Sequence, residues 1–160
     1  MIEAQNITEE MMDEIADTFD SVEVCDNTCI NLFIKNMWAL HKTVEWAKSD
    51  KLYVKRAAFV IMAGLAKEDK KAENFVFRVF TPIMIRECTD KRNDIKTAIS
   101  WALSAMGQRN EDLHKSAIKI AKEILEIENK TAQWIAKDVL RELEKEDVKC
   151  HDYPREKYRR

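Results

Sequence analysis

Glycine and proline are scarce in this chain of 160 residues, which contains only two of each. Folds built from strands and tight turns need both residues at many positions, so a turn-rich β architecture is not expected. Alanine, leucine, isoleucine, lysine and glutamate are plentiful. We therefore predict an all-α fold, and the length is that of one domain with a substantial core.

Long apolar runs are missing as well. No stretch approaches the roughly 20 residues that a membrane-spanning helix needs, and the start Met1-Ile2-Glu3 does not resemble a secretory signal. We expect a cytoplasmic protein with no membrane partner. The four cysteines are scattered in a chain that can bury a core without disulfides, so reduced thiols are expected.

Several kinds of catalytic site lack their characteristic residues. Cys25 and Cys29 lie four residues apart, but no nearby His or Cys pair completes a zinc site, so we expect small core residues and no metal. His41 and His114 have no recognisable partner for nucleophilic catalysis, and two isolated glycines cannot form a phosphate-cradling loop. No cofactor is expected.

The charge is nearly balanced, with 27 basic and 29 acidic residues and a formal net charge of −2. The field of the whole molecule therefore does not indicate a nucleic-acid binder, and any basic patch must be local. Candidates along one side of successive helix pairs are Lys55, Lys91, Arg92, Lys96 and Arg109. A phosphate-binding stripe and an ordinary solvated surface both fit this pattern.

A repeat is the most informative feature that is present. Residues 54–62 and 95–103 share an apolar and basic pattern at an offset of 41 residues. Periods of about 40–47 residues are typical of HEAT and armadillo units, whose helix pairs must stack to bury their apolar faces. We predict an α-solenoid of HEAT-like pairs over residues 1–145, followed by a charged, flexible tail over residues 146–160.

Capping signals and apolar periodicity give approximate helix boundaries. The predicted helices span residues 7–19, 26–40, 43–48, 52–66, 73–88, 93–106, 112–127 and 131–143. Asn6 or Thr8 is expected to cap the first helix, and Asp26 or one of the two residues after it to cap the second. Lys55 is expected to lean outward, and Gly107 to end its helix in the left-handed conformation.

Three segments carry a family resemblance. Residues 96–110 read Lys-Thr-Ala-Ile-Ser-Trp-Ala-Leu-Ser-Ala-Met-Gly-Gln-Arg-Asn, residues 52–58 read Leu-Tyr-Val-Lys-Arg-Ala-Ala, and residues 22–26 read Val-Glu-Val-Cys-Asp. These strings resemble the "KAxxWxLRxxGKRN", "xxWxxRxA" and "WDxxD" segments of the AlkD-type DNA alkylation repair enzymes, which are HEAT-like glycosylases that remove alkylated bases. Residues 134–143 are similar to the C-terminal helix of one branch.

The resemblance implies that Asp26 faces the sugar of a damaged nucleotide and that Arg56 and Trp101 complete the site. An N-alkylated purine is a cationic leaving group, so a carboxylate that stabilises an oxocarbenium-like sugar suits its hydrolysis. Arginine suits the DNA phosphate, and tryptophan suits the cationic nucleotide. The implied function is hydrolysis of the N-glycosidic bond of 3-methyladenine or 7-methylguanine in alkylated duplex DNA.

Each of the three residues also has a purely structural interpretation. Asp26 would then cap a helix, Arg56 would pair with a carboxylate on a neighbouring helix, and Trp101 would belong to the core. The corresponding alternative function is a non-catalytic HEAT-like scaffold that binds DNA or a protein.

The chain departs from the family pattern at several points. Val22 stands where the first segment usually has tryptophan, and Ser104 and Gln108 replace an arginine and a lysine. The family carries further helices before the first segment, whereas only residues 1–25 precede Asp26 here. We expect an exposed apolar N-terminal face, covered by a homodimer contact or by a partner chain.

Overall fold

A computed structural model describes residues 3–145 and 150–155 of the protein. These residues form helices and no strand, which confirms the all-α prediction for the described part of the chain. The helices are α1 (Glu9–Asp17), α2 (Val22–Asn31), α3 (Ala39–Trp46), α4 (Leu52–Glu68), α5 (Asn74–Glu87), α6 (Asn93–Gly107), α7 (Glu111–Leu125) and α8 (Lys130–Leu143). Short 3-10 turns occupy Ala4–Asn6 and Phe33–Lys35.

Four helices begin at a side chain that accepts a backbone hydrogen bond. The N-cap residues are Thr8 of α1, Ser21 of α2, Asn110 of α7 and Asn129 of α8. Each oxygen accepts from the amide three residues later, which satisfies one of the donors that a helix start leaves free. Thr8 is one of the two caps predicted for the first helix.

The prediction for the second helix is wrong. Ser21 caps α2, so Asp26 lies inside the helix and not at its N-terminus. The helix also ends at Asn31 instead of continuing to residue 40. Asn36 explains the change of direction, because its amide donates to the backbone oxygens of Ala4 and Ile7 and ties this bend to the N-terminal segment.

The helices pack in two layers. Within one layer α4 lies between α2 and α6, and α8 packs on the other side of α6. Helix α3 covers α4, while α7 covers α6 and α8. Helix α4 is the centre of this arrangement, since every residue from Val54 to Ala66 is buried. The expectation that Lys55 leans outward is therefore wrong.

Gly107 has a different role from the predicted one. It is the last residue of α6 and does not adopt the left-handed conformation. A Cβ atom at this position would lie 2.6 Å from Leu143 Cδ1 and 3.0 Å from Ala117 Cβ. The glycine therefore allows α6 to approach α7 and α8 closely.

A buried lysine fastens α1 to α3. The side chain of Lys42 is 1% exposed, and its Nζ contacts Glu9 at 3.1 Å, Asp13 at 2.8 Å and Glu45 at 3.2 Å. Trp46 Nε1 also donates to Asp13. Burial raises the pKa of Asp13, but the bonds from Lys42 and Trp46 outweigh it and the pKa lies below its ordinary value.

The chain after α8 returns to the body of the protein. Residues 150–155, which we call the strap, lie against the turn between α6 and α7. The rest of the predicted tail, residues 146–149 and 156–160, lies outside the described residues. Among the helices that the structure describes, none has both the length and the apolar character needed to cross a bilayer.

Candidate functional site

Asp26 and Arg56 form a bidentate ion pair between α2 and α4. Arg56 Nε donates to Asp26 Oδ1 at 2.9 Å, and Nη2 donates to Oδ2 at 2.8 Å. The Asp26 side chain remains 24% exposed, whereas that of Arg56 is 8% exposed. The structure thus excludes the capping role for Asp26 and shows the carboxylate partner that the structural interpretation of Arg56 predicted.

The guanidinium of Arg56 reaches a third helix. Nη1 donates to the backbone oxygen of Asp94 at 2.6 Å and to Thr97 Oγ1 at 3.2 Å, both on α6. Burial lowers the pKa of Arg56, but the hydrogen bonds to Asp26 raise it, and the balance lies above the ordinary value. Arg56 therefore joins α2, α4 and α6, and a DNA phosphate would compete with these bonds.

Trp101 lies one helical turn after Thr97 and is partly buried. Both residues line a pocket of about 320 Å³ between α4, α6 and α8. The lining residues are Ala66, Lys67, Thr97, Ser100, Trp101, Ser104, Ala105, Gln108, Asp138, Glu142 and His151. Because Thr97 belongs to the pocket and also contacts Arg56, the structure brings the Asp26–Arg56 pair and Trp101 to the same region of the protein.

Two carboxylates in this pocket were missed by the sequence analysis. Asp138 and Glu142 lie four residues apart on α8, so both point from one side of the helix. Ser100 Oγ donates to Asp138 Oδ2 at 2.5 Å, and Arg141 donates to the other oxygen at 3.1 Å. Polar residues at intervals of four on α6 and α8, such as Ser100 and Ser104, were the available signal.

Lys55 and Arg92 of the predicted phosphate stripe take part in an internal ion cluster. Lys55 Nζ contacts Glu87 at 2.8 Å and Asp90 at 2.9 Å, and Arg92 Nη2 contacts Asp90 at 2.7 Å. The hydrogen bond from Arg92 outweighs burial and holds the pKa of Asp90 well below its usual range. The cluster joins α4 to the end of α5 and the start of α6.

Arg109 is fully buried, which places it out of reach of a phosphate on the protein surface. Its guanidinium donates to three backbone oxygens and lies 4.3 Å from the Phe77 ring centroid and 5.6 Å from that of Tyr153. Burial lowers the pKa of Arg109 to about 10. Two members of the predicted stripe remain: Lys91 is exposed, and Lys96 lies with Nζ 4.4 Å from the ring centroid of Trp134 on α8.

The strap completes one end of the pocket. His151 N donates to Gln108 O at 2.9 Å, and Tyr153 N donates to Arg109 O at 2.6 Å. The Asn110 side chain donates to Tyr153 O. The His151 side chain is thereby held among the pocket-lining residues.

Comparison with known protein families matches residues 3–143 to the family of the DNA alkylation repair enzyme. The chain belongs to this family. The match covers α1 to α8 and ends before the strap. It confirms the family that the three sequence segments indicated and supports a role in DNA alkylation repair, while the AlkD-type branch stays a prediction. A search of curated proteins finds no match.

Proposed function

We propose that this DNA alkylation repair protein is an AlkD-type glycosylase, which hydrolyses the N-glycosidic bond of cationic alkylpurines such as 3-methyladenine and 7-methylguanine. The observation that carries the proposal is the Asp26 carboxylate. It is held in one orientation by Arg56, it keeps an exposed edge, and it lies next to the pocket that Trp101 lines.

The chemistry requires little from the protein besides charge and position. As the N-glycosidic bond breaks, its electron pair goes to the alkylated base, which becomes neutral, and positive charge develops on the sugar. A carboxylate near the sugar stabilises that charge, and water adds to the anomeric carbon and loses a proton. Asp26 is the electrostatic group in this scheme, and Trp101 packs against the nucleotide.

Arg56 acts through Asp26 in this scheme. Its two parallel hydrogen bonds fix the plane of the carboxylate, and its bonds to α6 fix the guanidinium in turn. We therefore assign it as a positioning residue. The contact with a DNA phosphate that the resemblance implies remains a prediction.

The proposed architecture is a HEAT-like solenoid. The succession of α2, α4, α6 and α8 in one layer, with α3 and α7 packed outside it, supports this assignment. Asp26, Arg56 and the Trp101 pocket all belong to the layer of even-numbered helices. Alkylated duplex DNA is the proposed partner of that surface, and Lys96 is the proposed phosphate contact on it.

The test is release of 3-methyladenine and 7-methylguanine from methylated duplex DNA by the wild type and by Asp26→Asn. We expect release that falls about 100-fold or more in the variant, the scale of losing one preorganised electrostatic group. The matched control is Asp90→Asn, which also removes a partly buried, ion-paired carboxylate but lies outside the pocket. Release should survive in that control, and equal loss in both variants would refute the role of Asp26.

A non-catalytic scaffold is the second candidate. Both oxygens of Asp26 accept hydrogen bonds from Arg56. The charged groups of Lys55 and Arg109 are bound to partners inside the protein. Absence of base release by a wild type with a normal helical circular dichroism spectrum would favour this candidate. Binding of unmodified duplex DNA would then separate a DNA-binding scaffold from a protein-binding one.

A second copy of the chain is the partner that we propose for the N-terminal region. Leu40 and Val44 lie four residues apart on α3 and are exposed, and Met37 in the turn before this helix is exposed as well. Exposed apolar side chains that lie close together in this way favour association. Sedimentation equilibrium tests it, since Leu40→Glu should convert a dimer into a monomer.

A further inference from the structure

The exposed residues of α5 lie along one side of the helix. They are Phe75, Arg78, Val79, Pro82 and Arg86, so each is apolar or basic and none is acidic. We propose that this surface, which we call the α5 face, is a docking site for an acidic amphipathic helix of a partner protein. The proposal does not depend on the glycosylase function, since no residue of the α5 face lines the pocket of Trp101.

Three apolar side chains belong to the α5 face. Phe75 and Val79 are 66% and 53% exposed and lie one turn apart, and Pro82 follows on the next turn. Single exposed apolar residues are common, whereas apolar neighbours on successive turns form a contiguous patch that is typical of an interaction site. Pro82 does not interrupt this patch, because the Thr81 hydroxyl donates at 2.9 Å to Arg78 O, the carbonyl that proline leaves without an amide donor.

Two arginines give the α5 face its charge. Arg78 has no carboxylate partner in the part of the chain that the structure describes, and Arg86, which donates to Glu87 at 2.5 Å, keeps 45% of its side chain exposed. Arg78 also lines a groove of about 270 Å³ between α5 and α7, whose other charged groups are Lys119 and Glu123. The α5 face and this groove therefore carry an excess of positive charge, which is complementary to an acidic partner.

The shape of the α5 face fits a helix. The face extends from Phe75 to Arg86, which is about 16 Å or three helical turns at a rise of about 1.5 Å per residue. A helix of the partner can lay an apolar stripe on Phe75 and Val79 while its carboxylates reach the two arginines.

The composition of the α5 face favours a protein over DNA as the partner. Aromatic residues and arginine are enriched in protein–protein interfaces, and lysine is depleted. The exposed residues of α5 include phenylalanine and two arginines but no lysine. Binding to the DNA backbone relies on basic and polar groups, so it would leave Phe75 and Val79 without a use.

Fluorescence anisotropy of labelled peptides, titrated with the full chain at low ionic strength, tests the proposal. The probe is a helical peptide of about 16 residues with leucine at every third or fourth position and glutamate between them, and a second peptide has lysine in place of each glutamate. We expect the glutamate peptide to bind with a Kd of about 1–100 μM, and about tenfold or more tightly than the lysine peptide.

Three variants separate the apolar and the charged contributions. Phe75→Ala should weaken binding of the glutamate peptide about tenfold, because an aromatic anchor is lost. Arg78→Glu should also weaken it about tenfold and should favour the lysine peptide, a gain that a misfolded protein would not show. Lys137→Glu makes a similar reversal of charge at an exposed position on α8, so it is the matched control and should bind as the wild type does.

Three results would overturn the proposal: no saturable binding of the glutamate peptide, equal binding of the two peptides, or undiminished binding by a folded Arg78→Glu protein. Unmodified duplex DNA and vesicles of phosphatidylcholine and phosphatidylserine are the alternative ligands. If the wild type binds one of these and not the peptide, and Arg78→Glu abolishes that binding, the α5 face contacts a nucleic acid or a membrane surface and the protein partner is refuted.

Discussion

Replacement of Arg109 by methionine removes a buried guanidinium that closes the C-terminal end of α4. The two Nη atoms donate to the backbone oxygens of Ala66, Asp69 and Ala72 at 2.7–2.8 Å. Helix α4 ends at Glu68, so Ala66 O is one of the last carbonyls that have no partner within the helix. The substitution therefore leaves three acceptors without their donor.

The expected loss of stability follows from these contacts. An unpaired buried acceptor costs about 1–3 kcal/mol, so the loss of the donor to three acceptors can lower the free energy of unfolding by well over about 3 kcal/mol. Methionine offsets part of this cost, because it fills similar space and removes a charge whose burial is itself unfavourable, as the lowered pKa of about 10 indicates. We expect a net loss of about 3 kcal/mol, or about 6–12 °C in unfolding temperature for a chain of this size.

Urea and thermal unfolding followed by circular dichroism measure the effect. The control is Arg78→Met, which changes an exposed arginine on α5 and should shift stability by no more than about 0.5 kcal/mol. A loss of less than about 1 kcal/mol in Arg109→Met would refute the assignment of Arg109 as a structural cap of α4. The phosphate-binding role would then need to be considered again.

Two further predictions concern packing and pH. Gly107→Ala places a methyl group 2.6 Å from Leu143 Cδ1 and 3.0 Å from Ala117 Cβ. We therefore expect the free energy of unfolding, measured in urea, to fall by about 1–3 kcal/mol despite alanine's better helix propensity. An unchanged urea midpoint would contradict this expectation. Asp13 and Asp90 have pKa values below normal in the folded state, so their ionised forms stabilise the folded protein. This contribution to the free energy of unfolding is complete above the unfolded pKa of about 4, and it is lost as the pH falls through the folded pKa values. The midpoint temperature of thermal unfolding should therefore decrease as the pH is lowered below about 4, and an increase on acidification would refute this sign.

Helices whose boundaries depend on local signals were predicted closely. The predicted ranges 52–66, 93–106 and 131–143 differ by at most two residues at either end from α4, α6 and α8. Apolar periodicity determines where these helices begin and end, and the segments that flank them contain few competing N-cap residues. Composition alone was enough for the all-α class, because so few residues can terminate a helix or form a tight turn.

The second helix shows where local reasoning fails. Asp26, Asn27 and Thr28 are all good N-caps, so the pattern favoured a helix start there over the one at Ser21. In the structure the Asp26 carboxylate instead bonds to Arg56, which is 30 residues away in sequence. A partner so far away in sequence competes with a local capping interaction, and apolar periodicity within a short window does not reveal such a partner.

The candidate site was predicted in part for the same reason. The family resemblance identified Asp26, Arg56 and Trp101, which the structure brings to one region. The opposite wall of the pocket depends on how α8 and the strap are placed against α6, and no local pattern encodes that placement. Arg109 was predicted to belong to a surface stripe that binds phosphate. A basic residue after a helix gives the same sequence pattern whether its side chain faces solvent or caps a neighbouring helix.

The geometry of the ion pair determines what Asp26→Asn can reveal. Arg56 keeps its bonds to Asp94 O and Thr97 Oγ1 when Asp26 loses its charge, and an asparagine oxygen can still accept from Nε. The variant therefore keeps most of the bracing between α4 and α6 and removes mainly the negative charge on the exposed edge of α2. If Asp26 served only as a brace, this change would lower stability and leave base release intact in the folded protein. Loss of base release in a folded variant would thus report on the electrostatic role of the carboxylate.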